Sequence, residues 1–184
     1  RLAESVMQPC SLNRLCNLVK STGVSSSVSS VMEYVRYLQE SCLLFSVDNY
    51  ASKLVERETV KKHYFVDNGL LHLFLNNPET ALLENLCALT LFKKYGDGLF
   101  YYNRNVEVDF YVPEENLAVQ SCYRLGDDIT IEREVKALAA LNSLHHLNKA
   151  MIITYEDEDI IERDGLRIEV IPVWKWVVDC GGIV

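Results

Sequence analysis

The chain lacks any apolar run approaching the ~18 residues that span a bilayer, so it offers no membrane helix. It has no CxxC pair and no cluster of ligands at zinc-site spacing, which removes the zinc-finger frameworks. It has no G-x-x-x-x-G-K-[ST] loop, so this stretch alone is not expected to bind ATP. There is no internal repeat and no low-complexity tract. The acidic run EDEDIIERD at 156–164 lacks the D-x-[DN]-x-[DN]-G spacing of a calcium loop and reads as a solvated loop. No signal peptide is visible: RLAESVMQPCSLNRL reads as a helix. The first residue is Arg1 rather than methionine, so a fragment of a longer protein is expected.

What is present suits a folded, cytoplasmic domain. Of the 184 residues, 49% are hydrophobic and 24% charged, enough for one generous core or two small ones. The cysteines (Cys10, Cys16, Cys42, Cys87, Cys122 and Cys180) are scattered, most in apolar segments, and read as reduced core residues. The net charge of −8 is uneven. Residues 1–66 carry eight Lys or Arg against six Asp or Glu; residues 67–184 carry ten against twenty. The second part is a poor electrostatic partner for nucleic acid, while the first is permissive.

Periodicity gives the elements. SLNRLCNLVKSTG has helical spacing at Leu12, Leu15, Cys16 and Val19, with Ser11 as N-cap and Gly23 as stop. A second helix follows the serines at 25–27, with Val28, Val31, Met32, Val35 and Leu38 on one stripe. Strand-like CLLFSV and KHYFVD then flank a polar, basic centre. Two helices and a hairpin suggest a winged helix over residues 1–66. From 67 to 184 the expected order is α-β-β-β-α-β-β. It has a helix at 79–95, strands at 99–104, 106–112 and 117–124, the helix ITIEREVKALAALNSLHHL, the buried strand KAMIITYE and a last strand LRIEVIPVWKWV. The expected fold class is α/β (α+β): a winged helix plus an α-β-β-β-α-β domain with a mixed central sheet.

That core order resembles restriction-endonuclease-like, or PD-(D/E)xK, nucleases. Their chemistry needs carboxylates on adjacent strands to hold magnesium, and a lysine two residues after the last acid. By position the helix acid is Glu84 in LLEN and the strand acid is Asp109 in VEVDF, the two candidate metal ligands. Glu107 shares the face of Asp109 by strand alternation. The (Asp/Glu)-x-Lys slot falls on Gln120-Ser121-Cys122, which has neither the carboxylate nor the cation. The expected site is therefore a remnant built on Glu84, Glu107, Asp109, Gln120 and Cys122. His145 and His146 read as the C-terminal cap of their helix.

The runs YFVDNGL, LLENLCALTLFKKYG, EVDF and IPVW resemble the C-terminal region of a prokaryotic AAA-type ATPase family, over about residues 8–178. The resemblance implies a P-loop ATPase domain ahead of a winged helix and a nuclease-like domain of unknown function. The ATPase domain would then be the partner of this chain, and ATP would bind there.

Three functions are open at this stage. The first is a non-catalytic recognition or regulatory module of such an ATPase, with no cofactor of its own. The second is a magnesium-dependent nuclease using Glu84, Glu107 and Asp109. The third is a winged-helix DNA-binding regulator whose contacts would be Arg36, Gln39, Lys53, Arg57, Lys61 and Lys62.

Overall fold

A computed structural model describes residues 2–5 and 7–180. The N-terminal segment expected to be one helix is instead a 3-10 turn, Ala3–Ser5, followed by a short strand β1, Cys10–Ser11. Helix α1 spans Leu12–Lys20, with the Ser11 side chain accepting from the Arg14 N–H. Helix α2 spans Val28–Glu40 and is capped in the same way by Ser27. Leu15, Cys16, Val31 and Val35 close a small core with Cys10.

The hairpin that follows is β2, Leu44–Asn49, and β3, Val60–Phe65. Its polar centre is not a loop but a third short helix, α3, Leu54–Thr59. After α4, Asn68–His72, comes α5, Glu79–Tyr95. Proline at its N-cap and Gly96 at positive φ set its ends. Strands β4, Phe100–Asn103, β5, Glu107–Val112, and β6, Leu117–Ser121, form a meander. Helix α6 spans Asp128–His145 and leads to β7, Lys149–Thr154. The acidic run expected to be a loop contains a strand, β8, Asp159–Arg163. It pairs antiparallel with β9, Leu166–Pro172, before a final helix α7, Val173–Asp179.

The class is mixed α/β. Among the described residues the nine strands lie in one mixed sheet, in the order β1-β3-β2-β4-β5-β6-β7-β9-β8. Helices α5 and α7 cover one face, packing Leu83, Cys87, Ala88, Leu91, Val173 and Trp176 onto the strands. Helix α6 covers the other through Val135, Leu138 and Leu141. Among the described residues no helix is long and apolar enough to cross a membrane.

The sheet is continuous across residue 66, where two units were expected to meet. Strand β2 runs parallel to β4, pairing Asp48 with Phe100 and Asn49 with Tyr101. Buried Asn49 extends that short ladder with its side chain, donating to the Asn103 carbonyl at 2.7 Å and accepting the Asn103 N–H at 3.0 Å. The hairpin is thus built into the sheet that carries the acids.

Candidate functional site

The candidate site lies where β3, β5, β6 and α5 converge. Its geometry starts from a local irregularity in β5. Phe100 pairs with Tyr111, but Tyr102 pairs with Val108. Two steps along β4 therefore face three along β5, and β5 carries one extra residue, a bulge. The sheet faces record it. Val108 and Tyr111 pack on the α6 side, Phe110 and Val112 on the α5 side. Counted back from Phe110 and Val112, alternation would send Asp109 to the α6 side. The bulge delivers it, with Glu107, to the α5 side where Glu84 waits.

The same bulge separates Asp109 from Gln120. On β6, Leu117 and Val119 face α5, while Ala118 and Cys122 face α6. Ser121, not Gln120, shares the face of Asp109. Its N–H and its hydroxyl both donate to Asp109 Oδ2 at 3.0 Å. Gln120 is spent on the backbone of β5: its Oε1 accepts the Asp109 N–H at 2.8 Å and its amide faces the Glu107 carbonyl at 3.4 Å. Cys122 is buried, its thiol pointing at the Arg124 carbonyl. Burial pushes that thiol up to about 11, so it is neither a thiolate nor a nucleophile at neutral pH.

Sequence reasoning assigned Lys62 to the nucleic-acid contacts. The structure corrects this. The Lys62 side chain is fully buried, and its Nζ lies 3.5 Å from Glu84 Oε1, 3.3 Å from Glu107 Oε1 and 3.4 Å from Asp109 Oδ1. Its ammonium lies 5.5 Å from the ring centroid of Tyr101 on β4. Burial lowers the Lys62 pKa, but the pull of Glu84, Asp109 and Glu107 outweighs it, so the pKa stands above its ordinary value. Tyr64, two residues on and on the same face, donates to Glu84 Oε1 at 2.8 Å. Its phenol is pushed well up by burial and the nearby acids, so it stays a donor.

The other residues proposed for DNA are largely engaged within the chain. Arg57 donates to the Tyr50 and Ser52 carbonyls and lies over the Tyr50 and Phe100 rings. Lys61 pairs with Asp48 at 2.7 Å. Gln39 donates to Ser46, which bonds the His63 ring. Arg36 pairs with Glu40 one turn on, and Lys53 is exposed at the start of α3. His146 does end α6, in the left-handed conformation, while His145 packs among Tyr50, Tyr102 and Tyr111.

The acids open onto a cleft of about 510 Å³. Glu134 of α6 also lines it, a carboxylate missed in the sequence, buried and paired with Arg133. Burial raises its pKa. Glu84 is pushed up to about 8, by burial first and by Asp109 second. Glu84 is thus held toward its protonated form at neutral pH.

The arrangement does not fit a divalent ion. Magnesium takes oxygens at about 2.0–2.1 Å. Here the three carboxylate oxygens stand 3.3–3.5 Å from a common centre that is already an ammonium. Among the described residues no group of three His, Cys, Asp or Glu side chains is placed to hold a metal. Nor does any buried side-chain N or O atom among them lack a hydrogen-bond partner.

Two predictions follow from these contacts. Gln120→Glu keeps the acceptor for the Asp109 N–H but turns a carboxylate oxygen on the Glu107 carbonyl. It should cost about 1–3 kcal/mol in urea denaturation rather than create a metal ligand. For Glu84, the folded chain holds a proton up to about pH 8, whereas the group's ordinary value is 4.5. Its contribution to stability is full below pH 4.5 and is lost as pH rises to 8. Glu84→Gln, which keeps an acceptor for Tyr64, should remove that slope. Its stability relative to wild type should rise by up to a few kcal/mol between pH 5 and 8, read from denaturation midpoints across pH.

Comparison with known proteins adds relatives without a described activity. A family model described as "Domain of unknown function (DUF8612)" matches residues 1–81, which contain Lys62 and Tyr64 but end before Glu84. No solved structure matches. An uncharacterized protein of Methanocaldococcus jannaschii is 32% identical over 179 residues, 90% of this chain and 40% of the relative, so the chain spans about two fifths of the length of the protein it resembles.

Proposed function

We propose that the chain is a non-catalytic recognition or regulatory module of a larger cytoplasmic protein, an AAA-type ATPase, and that its nuclease-like cleft no longer cleaves phosphodiesters. The observation that carries this reading is Asp109. One of its oxygens faces Lys62 and the other takes both the N–H and the hydroxyl of Ser121. The acid a metal would need most is committed to the protein itself. The ATPase half rests on the resemblance of YFVDNGL, LLEN, EVDF and IPVW; the greater length of the Methanocaldococcus jannaschii relative leaves room in that protein for another domain.

The test is incubation of the purified chain with plasmid and single-stranded DNA in magnesium or manganese. Both substrates should stay intact. Cleavage that disappears in Asp109→Ala would overturn the reading. For the ATPase, a Walker motif encoded upstream of Arg1 is the expected finding, and an upstream sequence without one removes that half.

A second reading, a magnesium-dependent nuclease, is favoured by Lys62. It brings from β3 the cation that β6 lacks, beside Glu84, Glu107 and Asp109 and next to an open cleft. Under it, Lys62→Met would abolish cleavage as completely as Asp109→Ala.

A further inference from the structure

We infer that Lys62 is the permanent counter-ion of this cleft: its tethered ammonium occupies the place and supplies the charge a divalent cation would otherwise contribute, and so bars such cations from the acids. The inference deepens the non-catalytic reading and rests on it.

Three features support it. The first is number. An ammonium has three N–H donors and no acceptor. Lys62 finds one carboxylate oxygen for each, from α5 and two positions of β5, all within 0.2 Å of the same distance. The second is fixation. Two of the three acids around the ammonium are oriented by something other than a metal. Tyr64 holds Glu84, Ser121 holds Asp109, and Gln120 pins the backbone of β5 on which both strand acids stand. The third is sealing. Lys62 lies beneath the acids with no exposed surface, while Glu107 is half exposed and Asp109 partly so. Solvent and ions reach the carboxylates from the cleft side, and the cation they would displace is covalently held. A second positive charge there would sit within a few ångströms of the ammonium, in a setting where water screens little.

The consequence is a latent site. Lys62→Met keeps most of the stem volume and removes the charge. It leaves the carboxyl groups of Glu84, Glu107 and Asp109 around a vacated centre that the cleft reaches. Titrated with manganese by calorimetry, the wild-type chain should show no saturable site. Lys62→Met should gain one, at least about 100-fold tighter than any wild-type binding, because ammonium and divalent ion no longer repel. Adding Asp109→Asn to Lys62→Met should remove the gained site. Where Lys62→Met does not fold alone, Lys62→Met with Glu84→Gln removes one acid together with the ammonium and is read in the same way. Where neither folds in metal-free buffer, refolding is compared with and without manganese, and recovery by manganese alone supports the inference.

Equal manganese affinity in wild type and variant overturns it. So does a folded variant that gains no affinity, or an unfolded one that manganese does not recover. These outcomes differ from failure of the non-catalytic reading, which shows as DNA cleavage by the wild-type chain.

Discussion

Lys62→Ala should lower the free energy of unfolding by about 3–5 kcal/mol, the cost of removing one partner from a buried ionic cluster. Most of that loss is not the value of the ion pairs themselves. Glu84 is buried and Asp109 mostly so, and without the ammonium the Asp109 charge, and any charge Glu84 gains as pH rises, lose the cation that faces both. The remaining acids should answer by taking up protons, so the deficit should be largest at alkaline pH and shrink as pH falls. Adding Glu84→Gln should restore part of the loss, because the two changes act on one network and are not additive. Urea denaturation of the two single variants and the double variant measures this. A loss under 1 kcal/mol for Lys62→Ala would mean the ammonium contributes nothing to folding.

A comparable loss, about 3 kcal/mol, is expected for Asn85→Ala. Asn85 is fully buried on α5 and closes three hydrogen bonds. Its Oδ1 accepts the Phe65 N–H at 2.8 Å, and its Nδ2 donates to the Phe65 carbonyl at 2.9 Å and to Asn68 Oδ1 at 2.7 Å. It therefore completes the last residue of β3 as a neighbouring strand would. Alanine leaves both backbone groups of Phe65 unpaired in the core, each costing about 1–3 kcal/mol. Because Asn85 anchors the strand that carries Lys62 and Tyr64, hydrogen exchange at β3 should rise along with the loss of stability. Unchanged protection of β3 would show that its end is held by other contacts.

Much of the fold was legible in the sequence because it follows local rules. Pro78 and Gly96 mark the ends of α5, and the expected helix at 79–95 has the observed bounds. Strand β8 was missed because its side chains are mostly charged and exposed; it forms through its partner β9 rather than through burial. The acids Glu84, Glu107 and Asp109 were found, and the structure brings them together. Lys62 was not placed with them because its partners lie 22 and 47 residues further on, in what looked like another unit. Gln120 and Cys122 were put on the site face by strict alternation, a rule that a single bulged residue breaks. Nothing in VEVDF announces that bulge; it is visible only once β4 is laid beside β5. Ser121, the residue between the two suspects, was passed over for the same reason.

The parallel seam between β2 and β4 has a consequence for how this chain could be cut or recombined. A break after residue 66 would look safe on the sequence. It would strip β4 of its neighbour, leaving a raw strand edge open to pairing with other chains. It would also take Lys62 away from its acids. The first 66 residues would carry a cation with no counterpart, and the remainder a hollow of like charges. Neither piece is then a spare part that could be lent to another protein; heredity and the expression vector alike must carry both together.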